Sequence, residues 1–464
     1  MPSSSTPKAV RLGGASHGSR RDNPRVARRS ALDNPRFRAV LLIVAALPIS
    51  VLYLWRTLVL PLVAGAVPGD MRDNYILAAA RIAAGLDPYT TTATPGGFVP
   101  LPLAGPQYIT PPPVAWMLQP LVHAGPQVQL IAVLAVLHLS LVVFLVTTLR
   151  ALRVTSWQMG LLLVLVAIAF EPVAGNFDEG QINLVLLGLS GVWLLGWVAG
   201  DRWWGGAALG AAVAMKLLQA PVGLLVLWGR RWRMASGAVL AGAVLWLVAV
   251  PQYLPEYIVK VAPAISEGTG LFENHSPGGT VMRLLDPNTF LGASRDTPLA
   301  ARVITIAISL AVLVVTFLVL RRPSRQRSGR ALEAAAIVAA GPLVATYSWG
   351  THLVLLLLPM LVLVDWAVRR RDLTVLALVA AGWMLIGPAH NLFQSLLVSG
   401  YSNLVVLRVM AEFGVTGIAA IWIGALVAVR RERSADRADS ADEHGAEEQQ
   451  HDRTREHHAI SEVG

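Results

Sequence analysis

The sequence predicts an all-α, polytopic membrane protein, and three observations carry that prediction. Hydrophobic residues make up 55% of the 464 and charged residues only 14%, with a positive mean hydropathy of +0.56, a balance that sets aside a soluble multidomain chain. Apolar runs long enough to cross a bilayer, near 20 residues with shorter ones tolerated, recur about ten times: 39–60, 129–149, 157–170, 182–198, 234–250, 301–320, 331–345, 353–367, 373–389 and 404–429. The connectors between these runs are of two kinds. One kind is basic: the N-terminal segment, Arg150 with Arg153, Asp201-Arg202, 230–233, 321–330, 369–371 and 430–433. The other is poor in Lys and Arg and holds nearly all the conspicuous polar and aromatic residues: 69–113, 171–181, 251–298, 347–352 and 390–403.

The two kinds alternate if the stretch 203–228 returns to the side from which it starts. By the positive-inside rule the basic set and both termini are then cytoplasmic, the polar set lies on the outer face, and the chain sits in the cell membrane. Arg202 and Arg230 bracket that stretch, with Lys216 in its middle and Pro221 just beyond. Two half-length helices meeting at Lys216 satisfy the charge rule. Non-helical backbone at membrane depth is tolerated only where it lines a protein-filled or watery cavity, so a cavity is expected there, and counting both halves gives about twelve membrane segments. In the first outer connector, 113–122 is too short and Pro-bounded to cross. With the helix that starts at Asp70 it gives two interfacial helices.

The domain plan is a basic cytoplasmic tail (1–38), a transmembrane domain (39–430) and a charged cytoplasmic tail (431–464). The first tail scatters eight arginines among Ser, Gly and Pro with no apolar core before a small-residue cleavage site, which reads as disorder and not as a secretory signal. The second is too polar to fold, and its histidines His444, His451, His457 and His458 read as solvated. Absence of cysteine removes disulfides, thiol nucleophiles and thiolate metal sites. The net charge of +10 comes from arginines clustered between apolar spans, where orientation explains them better than nucleic-acid binding.

The organising stretch is 69–113. Asp70 and Asp73 open an amphipathic helical pattern with Tyr75, Ala79, Ile82 and Ala83 on one side, stopping at Gly85 and turning at Asp87-Pro88-Tyr89. Asp70 suits two roles, a helix N-cap and a carboxylate facing a lipid-lined hollow. Asp73 is its rival one turn on, equally suited to pairing with Arg72. Gln181 and Asn183 open an otherwise apolar helix, so their amides need partners, in capping or in recognition of sugar hydroxyls. Lys216 is the most deeply embedded cation, and such charges usually face a functional cavity unless they snorkel. Glu273-Asn274-His275-Ser276 reads as a turn before a Gly pair, while Arg283 beyond it offers a bidentate fork for phosphate oxygens. Trp349 and His352 sit where interfacial anchors sit, and also suit a sugar ring and a phosphate. Arg408 and Glu412, one turn apart in the last run, read as a self-neutralising pair.

Taken in order, GD with NYILAAARIAAGLDPY, YITPPP, GQINLVLLGL, AMKLLQAPVGLLVLWGRRW, ENHSPGG with Arg283, and SWGTHLVLLLLP resemble the membrane glycosyltransferases of the C superfamily, specifically the polyprenyl-phosphate-mannose-dependent alpha-(1→2)-mannosyltransferases. These pieces span 69–359. The resemblance implies a C-superfamily fold with two surface helices in the first outer loop. It also implies a polyprenyl-phosphate-linked donor of a hexose, most simply mannose, a glycan or glycolipid acceptor, and inverting transfer with Asp70 as base. The residue readings, joined to that mechanism, put Lys216, Arg283 and His352 at the donor phosphate, and Tyr75, Gln181, Asn183, His275 and Trp349 at sugar or acceptor. The chain departs from the pattern at Thr351-His352, where two histidines are usual, at His275, where a Gln is usual, and near Gln219, where a Tyr is usual. Sugar and acceptor identity hang on those changes.

The chemistry requires a base within reach of an acceptor hydroxyl and positive charge where the phosphate departs. The donor carries its own leaving group, so no cofactor or metal is expected. Two other readings stay open. One is an arabinofuranosyltransferase using the same kind of donor. The other is a lipid-linked glycan flippase or transporter, which ordinarily shows an internal repeat; none is found here, and the polar residues crowd one face.

Overall fold

The computed structural model describes residues 35–89, 108–249, 251–291 and 297–461, with side chains described as far as Arg437. The expectations for 1–34, for the Pro-, Gly- and Thr-rich run 90–107 and for the tail histidines lie outside the residues and side chains so described. Among the described residues every regular element is helical. Six helices are long and apolar enough to cross a membrane: Ala39–Ala64, Pro126–Leu152, Leu299–Val319, Gly350–Arg370, Leu373–Val398 and Leu404–Arg437. Two further apolar helix pairs are bent by more than 40°, and counting each pair as one span gives up to eight by length and composition. Trp157–Ile168 turns by 49° into Glu171–Glu179, at an extended Phe170 followed by Pro172 in the first turn, where proline is tolerated because its missing N–H has no helical partner. Trp232–Val248 bends likewise into Pro251–Ser266. Shorter apolar helices run Asn183–Val198, Trp203–Met215 and Leu217–Trp228. The chain is therefore a polytopic, all-helical membrane protein.

Helix Gly350–Arg370 is the centre of the bundle, with 89% of its apolar window buried, as expected of a helix apolar all round. Ala39–Ala64 has none of its window buried and presents its apolar surface to lipid. Where helices cross most closely, glycine lets backbones touch. A Cβ on Gly206 would lie 1.9 Å from the Met234 carbonyl oxygen, and one on Gly210 2.0 Å from that of Ala238. This is the small-residue packing that apolar spans use in place of a hydrophobic drive.

The two kinds of connector collect at opposite ends of the helices. At one end, Arg327 donates to the Ala151 carbonyl, Arg369 to that of Leu152, Arg433 to Glu333, and Arg370 to Glu432, while the Trp197 indole donates to the Arg330 carbonyl. Helix Asn183–Val198 leads from this end to the other, where 70–75, 108–111, 179–181, 216–218, 273–275 and 344–352 surround one cavity.

Two elements differ from expectation. The run 404–429 lies in the span Leu404–Arg437 but carries a turn at Glu412, between Leu404–Ala411 and Phe413–Ser461. Arg408 and Glu412 do not pair: Arg408 donates to the Pro287 carbonyl and Glu412 receives Arg283. The second difference is that the backbone of the final helix runs to Ser461, through a stretch too polar to be expected to fold and rich in the helix formers Ala, Glu and Arg.

Candidate active site

One hollow has a volume of about 680 Å³. One wall is polar, with Asp70, Asn74, Tyr75, Gln181, Lys216 and His352; another is apolar, with Leu217, Leu218, Pro221, Ala262, Ile265 and Val344.

Asp70 does not cap its helix. Its backbone is already helical (φ −63°, ψ −38°) and its side chain makes no cap bond, because the helical turn begins at Gly69, directly after Pro68. The carboxylate is instead held from two sides: the Asn74 amide donates to Oδ1 at 3.1 Å and the Gln181 amide donates to Oδ2. Gln181 is oriented by its neighbours. Its Oε1 accepts from the Tyr75 hydroxyl at 2.9 Å and from Lys216 Nζ at 3.5 Å, which leaves its NH₂ for the carboxylate. Chiefly burial, with the Asp70 and Glu179 charges adding to it, holds the Tyr75 phenol well above its ordinary range, so it remains a donor.

Lys216 stands where the helix Trp203–Met215 ends in an extended residue (φ −162°, ψ 127°) before a short 3₁₀ turn. The break expected at this position is present. Asn183, fully buried, accepts from Nζ at 3.0 Å. Asn183 therefore positions the lysine and does not reach the hollow, which corrects its expected sugar contact. Among the described residues no carboxylate lies within ion-pair distance of Lys216.

Gly180 brings Gln181 to Asp70. Its φ of 71° is in the left-handed region, and a Cβ there would fall 2.6 Å from Met71 Cβ and 2.9 Å from Pro68 Cβ. Only glycine meets both conditions.

Trp349 lines the cavity beside Tyr347, their ring centroids 5.5 Å apart, and His352 Nδ1 faces the Trp349 N–H at 3.4 Å. His275 is almost wholly buried beside the His390 ring at 4.9 Å, and both line the hollow. Burial, then the His390 and Arg283 charges, hold the His275 imidazole well below its ordinary value, so it is neutral. Two expected residues stand elsewhere. Asp73 is bound by Arg72 through two hydrogen bonds of 2.7 and 2.9 Å and does not line the cavity. Arg283 is buried with its nitrogens taken: Glu412 at 2.7 and 3.0 Å, the Leu271 and Asn274 carbonyls at 3.0 Å each. With its fork filled by protein acceptors, it has no place at the donor phosphate.

Lining residues given no site role from the sequence include Asn74, Glu179, Glu273, His390 and Gln394. All lie in or beside the polar connectors, which is the only signal that marks them. Among the described residues no group of three His, Cys, Asp or Glu is arranged to hold a metal ion.

The profile of glycosyltransferase family 87 matches residues 108–346. The chain belongs to that family. Among curated proteins it is similar to two mannosyltransferases of Mycolicibacterium smegmatis and one of Mycobacterium tuberculosis. The polyprenol-phosphate-mannose-dependent alpha-(1-2)-phosphatidylinositol mannoside mannosyltransferase of M. smegmatis is 31% identical over 251 residues, 50% of this chain and 52% of that protein. The M. tuberculosis protein, named for the pentamannoside, is 29% identical over 244 residues, 49% of this chain and 53% of its own length. Its M. smegmatis counterpart is 34% identical over 128 residues, 26% of this chain and 30% of that one. The chain thus spans about half the length, or less, of the curated relatives it matches.

Proposed function

We propose that this member of glycosyltransferase family 87 transfers a hexose, mannose in the first instance, from a polyprenyl-phosphate donor to a hydroxyl of a glycan or glycolipid acceptor at the outer face of the membrane, with inversion. The observation that carries the reading is the pairing, in one hollow, of a carboxylate fixed by two amides with a lysine that has no carboxylate partner. Among the described residues only the Asp70 and Glu179 charges act on this half-buried ammonium, neither in contact with it, so it is free to bind an arriving anion directly, and a lipid phosphate is such an anion. The relatives' names supply the donor class and suggest a phosphatidylinositol mannoside as acceptor.

The step is a single displacement. The acceptor oxygen attacks the anomeric carbon, the bond from that carbon to the phosphate oxygen breaks, and the electron pair leaves on the polyprenyl phosphate. The acceptor proton passes to Asp70. Among the described residues each Asp70 oxygen accepts one hydrogen bond, so lone pairs remain for the incoming hydroxyl. Lys216 gives two of its three protons to Asn183 and Gln181 and keeps one for the phosphate, beside His352. The apolar wall from Leu217 to Val344 suits the isoprenoid chain. Purified protein with synthetic polyprenyl-phosphate mannose and an octyl α-mannoside acceptor tests this directly. Formation of a dimannoside supports it, and donor that stays intact over hours at high enzyme concentration refutes it.

A further inference from the structure

Beside the large cavity lies a second hollow of about 280 Å³ that shares with it the wall made by Glu179, Glu273, His275, His390 and Gln394. From these residues we infer that the second hollow is the subsite that holds the acceptor's terminal sugar, and that Glu273 and Gln394 are the groups that grip its hydroxyls. This inference rests on the transferase reading above and deepens it.

The chemistry of the wall is the first argument. Four carboxylates line the smaller hollow, and two of them are already neutralised: Arg56 bridges Glu171 at 2.8 Å and Asp178 at 2.6 Å. Glu179 and Glu273 accept no hydrogen bond from the protein among the described residues, and both are exposed to the space they line. Carboxylate oxygens without donors, beside the Gln394 and Asn391 amides, form a surface of spare acceptors with a few donors. A polyol has the matching set, several hydroxyls that each donate once and accept. Charge supplies the second argument. Glu273, and Glu179 in part, since burial and the Asp70 and Glu273 charges push its carboxyl up to about 7, disfavour a lipid phosphate in the smaller hollow, which Lys216 does not line, so the donor's head belongs at the Lys216 side and the uncharged sugar at this one. Geometry is the third. The wall is shared, so a ring seated in the smaller hollow borders the cavity that holds Asp70, and Gly350 and Thr351, which line both hollows, give it a backbone and a hydroxyl edge. A divalent cation is the competing occupant of an acidic hollow, but the carboxylates and histidines here do not converge as a ligand set.

The test uses the full chain in lipid nanodiscs, with octyl α-mannoside as the probe, and compares wild type with Glu273→Gln and Gln394→Ala. Direct binding is followed by tryptophan fluorescence; KM for the mannoside and for polyprenyl-phosphate mannose are measured separately. Each variant removes a hydrogen bond to the probe, so probe affinity should fall and acceptor KM rise by roughly fivefold to tenfold, with donor KM unchanged within about twofold. A thermal midpoint equal to wild type shows that the fold is intact. Wild type that binds no octyl α-mannoside, variants that bind it like wild type, or a rise in donor KM instead, each overturn the subsite. Manganese retained by wild type and lost in Glu273→Gln, with mannoside binding intact, reassigns the hollow to a cation. Binding that depends on Glu273 without any sugar transfer keeps the subsite and removes the transferase reading, so the two failures are distinct.

Discussion

Replacing Asp70 by Asn keeps side-chain size but removes the group proposed to take the acceptor proton. Loss of a positioned general base costs roughly 100- to 10,000-fold in turnover. Asp70→Asn is expected to lower kcat within that range, whereas Asp73→Asn, which only frees Arg72 at the surface, should stay within about twofold of wild type. Initial rates of mannose release from synthetic donor decide between them; an active Asp70→Asn ends the base assignment. A second residue is pH-sensitive for a different reason. Burial first, then hydrogen bonding and charge from Glu256, push the Asp87 carboxyl up from 3.8 to about 6. A carboxyl raised in the folded state favours folding in its protonated form. The stability it gives is complete below 3.8 and lost as pH rises through about 6. The contact of the 87–89 turn with Glu256 should therefore weaken from pH 5 to pH 8 and lower the thermal midpoint, although the Tyr89 N–H bond to Asp87 Oδ1 at 2.9 Å favours the ionised form. Asp87→Asn should flatten that difference.

At the scale of elements, the site depends on how two connectors are pressed together, and Gly180 is the contact that allows it. Gly180→Ala introduces a methyl against Met71 and Pro68 at a left-handed φ. The backbone strain alone is about 1 kcal/mol, and moving Gln181 off the Asp70 carboxylate is expected to cut kcat by roughly tenfold or more with a smaller effect on donor KM. A variant with normal kcat would show that the Gln181 contact does not position the base. The Arg283–Glu412 bridge holds two other elements. Removing one partner of a buried pair costs about 3–5 kcal/mol, and because Glu412 is 30% exposed the lower end applies. Arg283→Met should thus lower the thermal midpoint while leaving donor KM unchanged, the opposite of what a phosphate-binding arginine would do. These elements also show what could be read from the chain. The break at Lys216 was legible because two arginine clusters 28 residues apart on one side leave no length for two full spans. The partnership of Arg283 with Glu412 was not, since 129 residues separate them and the local neighbour Arg408 offered an equally good pair. The role of Asp70 was half legible: its spacing from Asp73 fits an N-cap, and only the fold shows that the helix starts earlier and Gln181 comes in from 111 positions away.

At the scale of the molecule, charge alone separates the two ends. Arginines and their buried carboxylate partners, Glu333 and Glu432 among them, gather at one end of the helices, and the cavity opens among the other connectors. Basic ends stay on the cytoplasmic side because moving them through the bilayer during insertion is opposed. By that rule the hollow with Asp70 is expected to face outward, the side on which the proposed lipid-phosphate donor would meet its acceptor. Because the chain has no cysteine, single thiols report this orientation without background. Ala84→Cys, exposed beside the site, should react in intact cells with a membrane-impermeant maleimide. Arg325→Cys, exposed in the basic connector 321–330, should react only after the membrane is opened. The reverse pattern would place Asp70 on the cytoplasmic side and take the lipid-phosphate mechanism with it, since the same carboxylate would then meet nucleotide sugars instead.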